Sequence, residues 1–262
     1  FALILISTDF RLISNSGQSA NSFKKELTMR SNIGCIASMI LLLALSAATA
    51  FAQERVEGRG FFMAGVQGMD IGDLNSRLRA NGYGEFSETF ASFGGGGYGI
   101  NGRFLIGGEG TAVIAGGESA TIGGEYFKTS LGGGYGLFKL GYIIYRRDGF
   151  ILYPSFGIGG GGIGLDITQE ATIPFDQHLQ NPRRKTSLSS GFFLIDLGLG
   201  ADRLVTVNRK GDEEGGIVFG IHAGYLLAPF RSDWGDALNG PDAAIEGGYV
   251  RIIIGGGGSS RR

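Results

Sequence analysis

From residue 53 onward, apolar side chains tend to recur at every second position. Between 193 and 202, Phe193, Ile195, Leu197, Leu199 and Ala201 share one parity, while Leu194, Asp196, Gly198, Gly200 and Asp202 share the other. Successive strand side chains point to opposite faces, so this pattern predicts a strand with one greasy face and one polar or small face. The stretch 103–114 repeats it, with Phe104, Ile106, Gly108, Gly110, Ala112 and Ile114 set against Arg103, Leu105, Gly107, Glu109, Thr111 and Val113. In 217–227, Ile217, Phe219, Ile221, Ala223, Tyr225 and Leu227 oppose Gly220, His222 and Gly224; in 138–144, Phe138, Leu140, Tyr142 and Ile144 oppose Lys139. Eight strands are predicted in all, at about 58–69, 88–100, 103–115, 126–146, 150–168, 188–206, 215–228 and 243–255. Two of them resist a single assignment. In the fifth, Phe150, Leu152, Phe156 and Ile158 are even but Ile163, Leu165 and Ile167 are odd, which predicts a β-bulge in the glycine run between them. The eighth places Glu246 and Arg251 on opposite parities.

The connections fall into two kinds. Asn101-Gly102 is the dipeptide of a type I′ hairpin turn, and Arg147-Asp148-Gly149 is another tight turn. Asn208–Glu214 is of moderate length, whereas 70–87, 116–125, 169–187 and 229–242 are long. Short and long alternate, as they must when an up-and-down barrel has all its turns at one end and all its loops at the other. Pro174, Pro182, Pro229 and Pro241 belong to the long loops. Pro154 alone falls inside a predicted strand, where it requires a bulge or a register break.

No uninterrupted apolar stretch after residue 53 approaches 18 residues, so any membrane crossing there must be made by strands. The start of the chain reads differently. Met29-Arg30, an apolar run from about Ile36 to Ala48, and Ala50-Phe51-Ala52 have the three-part layout of a secretory signal cleaved after Ala52; a retained anchor is the alternative. Residues 1–28 are read as an upstream or disordered extension, 29–52 as the signal peptide and 53–262 as the barrel. Cys35, the only cysteine, lies in the removed segment, which leaves 19 basic and 22 acidic residues in a mature part without thiols.

Composition narrows the class further. Fifty of 262 residues are glycine, but runs such as Gly94–Gly97 and Gly159–Gly162 violate the every-third-residue spacing of collagen. With 43% apolar and only 18% charged residues the chain is too hydrophobic for disorder. A net charge of −1 without a basic block gives no electrostatic basis for binding nucleic acid.

A signal sequence followed by about 200 residues of eight alternating strands, short-turned at one end and long-looped at the other, resembles the small outer-membrane barrels of the OmpA-transmembrane-domain and OmpX type. The resemblance covers nearly all of the mature chain. It implies an all-β, eight-stranded antiparallel up-and-down transmembrane barrel in the bacterial outer membrane, inserted by the assembly machinery and monomeric. Its partners would be outer-membrane lipid and lipopolysaccharide, and its role structural or surface-interactive, without catalysis. Two other readings stay open: a narrow channel for small solutes, and a soluble lipocalin-like barrel that encloses a ligand.

In a barrel of this polarity the interior polar network consists of Arg103, Glu109, Lys139, Asp196, Asp202 and His222, with Glu246. Charges in a narrow lumen are costly unless paired, so a mixed-sign set predicts a salt-bridged plug; a proton or ion path is the alternative. Inward glycines, such as Gly198, Gly200, Gly220 and Gly224, are expected to leave room for larger inner groups. Phe61, Phe62, Tyr98, Tyr142, Tyr145, Phe150, Tyr153, Phe230 and Trp234 lie near strand ends, where girdles form; core packing explains many of them equally well. In the third long loop, Arg183, Arg184 and Lys185 are candidate donors to lipopolysaccharide phosphates, or simply a solvated loop. Asp73–Ala80, with Asp73 as N-cap and Asn81-Gly82 as stop, predicts a short helix in the first long loop. No metal site is expected from His178 and His222 alone, and no cofactor. Gly157–Gly162 matches G-x-G-x-x-G without the βαβ unit that would make it a phosphate cradle, and no G-x-S-x-G elbow occurs.

Overall fold

The computed structural model describes residues 56–170, 185–210, 213–235 and 237–260; the predicted signal segment, His178, Arg183 and Arg184 lie outside the described residues. The elements are β1 (Val56–Gly68), α1 (Gly72–Ala80), β2 (Thr89–Asn101), β3 (Phe104–Ile122), β4 (Glu125–Tyr142), β5 (Tyr145–Arg147), β6 (Phe150–Glu170), β7 (Lys185–Lys210), β8 (Glu213–Arg231) and β9 (Gly247–Ser260). Eight strands close into an antiparallel ring in which β1 pairs with both β2 and β9, and β4 pairs with β6. The short β5 continues the line of β4 along β6.

The turns obey local chemistry with one displacement. Asp148-Gly149 joins β5 to β6 with both residues at positive φ, as a type I′ turn requires. At the β2–β3 turn, Asn101 pairs with Phe104, so the loop is Gly102-Arg103 and only Gly102 is at positive φ. This shift by one residue puts Arg103 in the exposed turn and out of the interior network. The predicted long loop 116–125 is instead a hairpin extension: β3 runs to Ile122, and Gly123-Gly124, both at positive φ, turn directly into β4.

Pro154 pairs in register with Leu199 of β7, and the irregularity it needs lies in the neighbouring strand. Gly141 pairs with Ser155 and Tyr145 with Leu152, so three residues, 142–144, face only two, 153–154. The ring nitrogen of Pro154 therefore falls where β4 has ended and β5 has not begun.

The bulge expected in the fifth predicted strand is absent: β6 keeps one register with β4 and with β7 through its glycine run. Its odd residues face inward throughout, from Ile151 and Tyr153 to Ile163 and Leu165, all buried. What changes is the outer face. Along 150–158 the outward residues are apolar, whereas beyond them they are Gly160, Gly162, Gly164 and Asp166. The first stretch belongs to a belt of exposed side chains that circles the barrel, including Phe62, Phe138, Leu140, Phe156, Leu197, Leu199, Ile217, Ile221, Ile252 and Ile254. Such a belt is a lipid-contact surface. Past it the outward residues are small or polar and the apolar residues lie on the inner face, the pattern of a sheet surrounded by water.

That inner face packs on the loops. Leu74 and Leu78, one turn apart on α1, are buried with Leu131, Ile163, Leu165, Leu194, Trp234 and Ile245. The helix begins at Gly72 with Ile71 as its N-cap, so Asp73 lies in the first turn and does not cap it. There its charge complements the helix dipole, and Asp73 Oδ2 accepts the Asp242 N–H at 3.0 Å. Asn81 and Gly82, the latter at φ +82°, end the helix as predicted.

Candidate functional site

The barrel interior is layered. Beneath the loop-side core lies a neutral network of two acids and two bases, contributed by four different strands. Glu109 on β3 accepts from Arg251 on β9 at 2.9 Å and from Lys139 on β4 at 3.4 Å. Lys139 also lies 3.0 Å from Asp196 on β7. Asp196 accepts the Tyr249 hydroxyl at 2.8 Å, and the Arg251 guanidinium stacks over the Tyr249 ring, 4.0 Å from its centroid. Arg251 donates further to Gln67, at 3.0 Å, and to Tyr135. Each charge of this network therefore meets an opposite charge, the condition on which a sealed interior tolerates ions.

A second group lies nearer the short-turn end. Asp202 accepts from Tyr98 and, at 2.9 Å, from Tyr153, and its other oxygen is 2.9 Å from His222 Nε2. Tyr153 Oη is 2.8 Å from the same ring nitrogen, and Phe61 meets the imidazole edge-on at 5.4 Å. Between the two groups is a small cavity of about 20 Å³ lined by Lys139, Tyr153, His222 and Tyr249. That is room for about one water. Below it Phe61, Ile100, Leu105, Ile143, Ile151, Val218 and Ile253 form an apolar floor. The β5–β6 hairpin bends across this end: Arg146 reaches Glu57 on β1 at 3.0 Å, and Gly149 accepts the Leu204 N–H at 3.0 Å.

Of the residues predicted for the interior, Glu109, Lys139, Asp196, Asp202 and His222 are buried there. Arg103 is not, for the reason given by its turn. Glu246 precedes β9 and stands at the loop rim, where Arg231 joins it at 2.8 Å together with Asp70 at 3.0 Å and Asp242 at 2.8 Å. Lys185 pairs with Asp166 at 3.1 Å on the extension beyond the belt. Sequence reasoning missed Arg251, the most connected base, and the buried residues Gln67 and Arg59. Once Tyr249 and Ile253 are taken as inward, Arg251 shares their parity; the signal was present but undecided. The aromatics expected in girdles divide: Phe62, Tyr142, Tyr145 and Phe230 are exposed, whereas Phe61, Tyr98, Tyr153 and Trp234 are buried.

Glycine makes the tyrosine layer possible. A Cβ on Gly107 would come within 2.6 Å of Tyr98 Cβ, one on Gly161 within 2.6 Å of Tyr135 Cβ, and one on Gly200 would enter the Tyr153 ring. Gly200→Ala is therefore expected to destabilise the barrel by about 1–3 kcal/mol. Gly58→Ala, with nothing within 4 Å of the new methyl, should stay within about 0.5 kcal/mol. Urea unfolding of the two variants side by side checks this, and equal midpoints would refute the packing role.

In the loop layer, Arg79 donates to both oxygens of Glu85, and this bond holds the Glu85 carboxyl below its ordinary range. Its contribution is present above the unfolded-state value and is lost as pH falls through the lowered one. The pair is exposed to water, which keeps the effect small.

These observations define the class: a closed eight-stranded antiparallel barrel with an apolar outer belt and a filled, ion-paired interior. No family model and no curated protein matches the sequence. Among solved structures, the chain is similar to Ail, the attachment invasion locus protein of Yersinia pestis, at 11% identity over 79% of this chain and 99% of that one, with a TM-score of 0.39. It is similar to the outer membrane protease OmpT from Escherichia coli at 9% identity over 80% and 97%, TM-score 0.33. It is also similar to the outer membrane protein OprG from Pseudomonas aeruginosa at 10% identity over 80% and 97%, TM-score 0.28.

Proposed function

We propose that the chain is an integral protein of the bacterial outer membrane whose barrel anchors a surface-interaction platform and performs no catalysis. The observation that carries this reading is the continuation of β3, β4, β6 and β7 beyond the apolar belt, with their inner face packed on α1 and the Trp234 loop. On its β2 side, β3 loses its partner after Ile114, which pairs with Ala91, so the edge of 115–122 is open among the described residues. An open edge of small residues such as Gly116, Gly117 and Ala120 offers main-chain hydrogen bonds to an approaching extended segment. Lipid would hold the belt, lipopolysaccharide the region just above it, and the assembly machinery would insert the closed monomer.

The filled lumen favours an anchor over a solute channel. The buried Asp202–His222 pair is enclosed by Tyr98, Tyr153 and Phe61, which argues against its use on an external substrate. The test is fractionation of cells that express the chain, with gel migration before and after boiling and protease or biotin labelling of 116–130 on intact cells. Outer-membrane recovery, a heat-dependent mobility shift and external labelling are expected. Recovery in the soluble periplasmic fraction would refute the reading, and reproducible single-channel openings in planar bilayers would replace the anchor with the channel.

A further inference from the structure

The mouth at the short-turn end contains a cavity of about 660 Å³ whose charged lining is unevenly satisfied. Of its three acids, Glu57 pairs with Arg146 at 3.0 Å and Asp148 with Arg147 at 3.4 Å, and Glu214 also has a partner. Arg59 is different. It is only 4% exposed, and it makes no ion pair among the described residues. Its Nε and Nη1 are buried without a hydrogen-bond partner, and its Nη2 reaches only the Gly149 carbonyl, at 3.4 Å. A carbonyl at that distance is a weak acceptor, and a guanidinium withdrawn from water without a counter-charge is costly. Arg203, which pairs with Phe150 and stands with it on the outward row, lines the rim of the same cavity, exposed and likewise without an ion pair among the described residues.

We infer that this mouth binds a phosphate-type oxyanion, with Arg59 as the buried anchor on the inner face and Arg203 as an exposed donor at the outer rim. Guanidinium groups present planar, paired N–H donors that match the oxygens of phosphate, and a buried one strengthens the contact because water does not screen it. A bound oxyanion supplies the charge that Arg59 lacks and replaces its long bond to Gly149. The same chemistry is offered by a free phosphate group in the aqueous phase and by a lipid headgroup at the edge of the belt, where the outward Phe150 and Val205 adjoin the mouth.

The full-length barrel is refolded in octyl glucoside, an uncharged detergent, and inorganic phosphate is titrated against chloride at equal ionic strength. Thermal unfolding is followed by the fluorescence of Trp234, the single tryptophan of the chain. The midpoint should climb with phosphate and not with chloride, as linkage requires of a ligand that binds only the folded state. Arg59→Met should weaken apparent phosphate affinity about tenfold or more. Without phosphate it should be at least as stable as the parent, since the uncompensated cation is gone; a purely structural Arg59 predicts the opposite. Arg203→Gln, at an exposed position, should fold normally and bind phosphate more weakly, and it carries the test if Arg59→Met does not fold. In a second arm, without free phosphate, vesicles of phosphatidylcholine with and without phosphatidylglycerol replace the detergent. Stabilisation that depends on Arg59 or Arg203 and appears only in the phosphatidylglycerol vesicles identifies the headgroup as the source. The inference is overturned if neither arm shows stabilisation, or if the stabilisation persists undiminished in the variants.

Discussion

Arg251→Met is expected to destabilise the barrel by about 3–5 kcal/mol, the usual cost of breaking a buried ion pair from one side. The side chain is 1% exposed, and its loss strands Glu109, which would keep only Lys139, at 3.4 Å. It also removes donors from Gln67 and Tyr135 and the cation stacked on Tyr249. Methionine fills much of the volume, so the loss reads out charge and hydrogen bonding more than a cavity. Urea titration of refolded protein, followed by Trp234 fluorescence, measures it. The double variant Arg251→Met/Glu109→Gln should recover a large part of the loss, because the two changes act on one contact and are not additive. A single variant as stable as the parent would mean that the interior charges are individually solvated, and the filled-lumen description would fall with it.

The second large effect concerns the inversion of polarity along β6. Ile158 and Gly164 have the same parity and both point outward, yet the first lies in the apolar belt and the second beyond it. Ile158→Arg should cost about 1–2 kcal/mol when the barrel is folded into lipid vesicles, less than a basic residue at the bilayer midplane because Ile158 is the last residue of the belt on β6. Gly164→Arg should change stability by less than about 0.5 kcal/mol, since its new side chain enters water and its Cβ meets nothing closer than the Leu188 carbonyl at 3.8 Å. On the opposite parity, Leu165→Arg should be severe, because Leu165 is 4% exposed within the core under α1. Equal penalties at 158 and 164 would place both positions in one solvent and remove the boundary on which the platform rests.

Most of the barrel could be read locally. A strand's two faces are set by a period of two, so the lipid-facing rows of β4, β7 and β8 and the inward places of Lys139, Asp196 and His222 follow from parity alone. Turn chemistry fixed the β5–β6 hairpin through Asp148-Gly149, and Asn81-Gly82 marked the end of the helix, whose N-cap is Ile71 and not Asp73. Periodicity failed where it was taken to have one cause. A parity change at Ile163 predicts a bulge because a slipped register and a changed solvent leave the same trace in a one-dimensional pattern. The hairpin at 116–125 resembles a loop in sequence because its outward residues are small and polar, which is what a strand surrounded by water shows. Arg103 was displaced by a turn that formed one residue later than Asn101-Gly102 suggested.

Strand number, face polarity and the mixed sign of the interior belong to the sequence, because each depends on residues a few positions apart. Which charges meet is decided only by closure of the ring: Arg251 and Glu109 are 142 residues apart and touch because β9 and β3 face one another across the lumen. The same holds for the hairpin that brings Arg146 to Glu57 and leaves Arg59 without an ion pair among the described residues. Contacts across a barrel depend on strand order, register and stagger together, and no single segment of the chain carries that information.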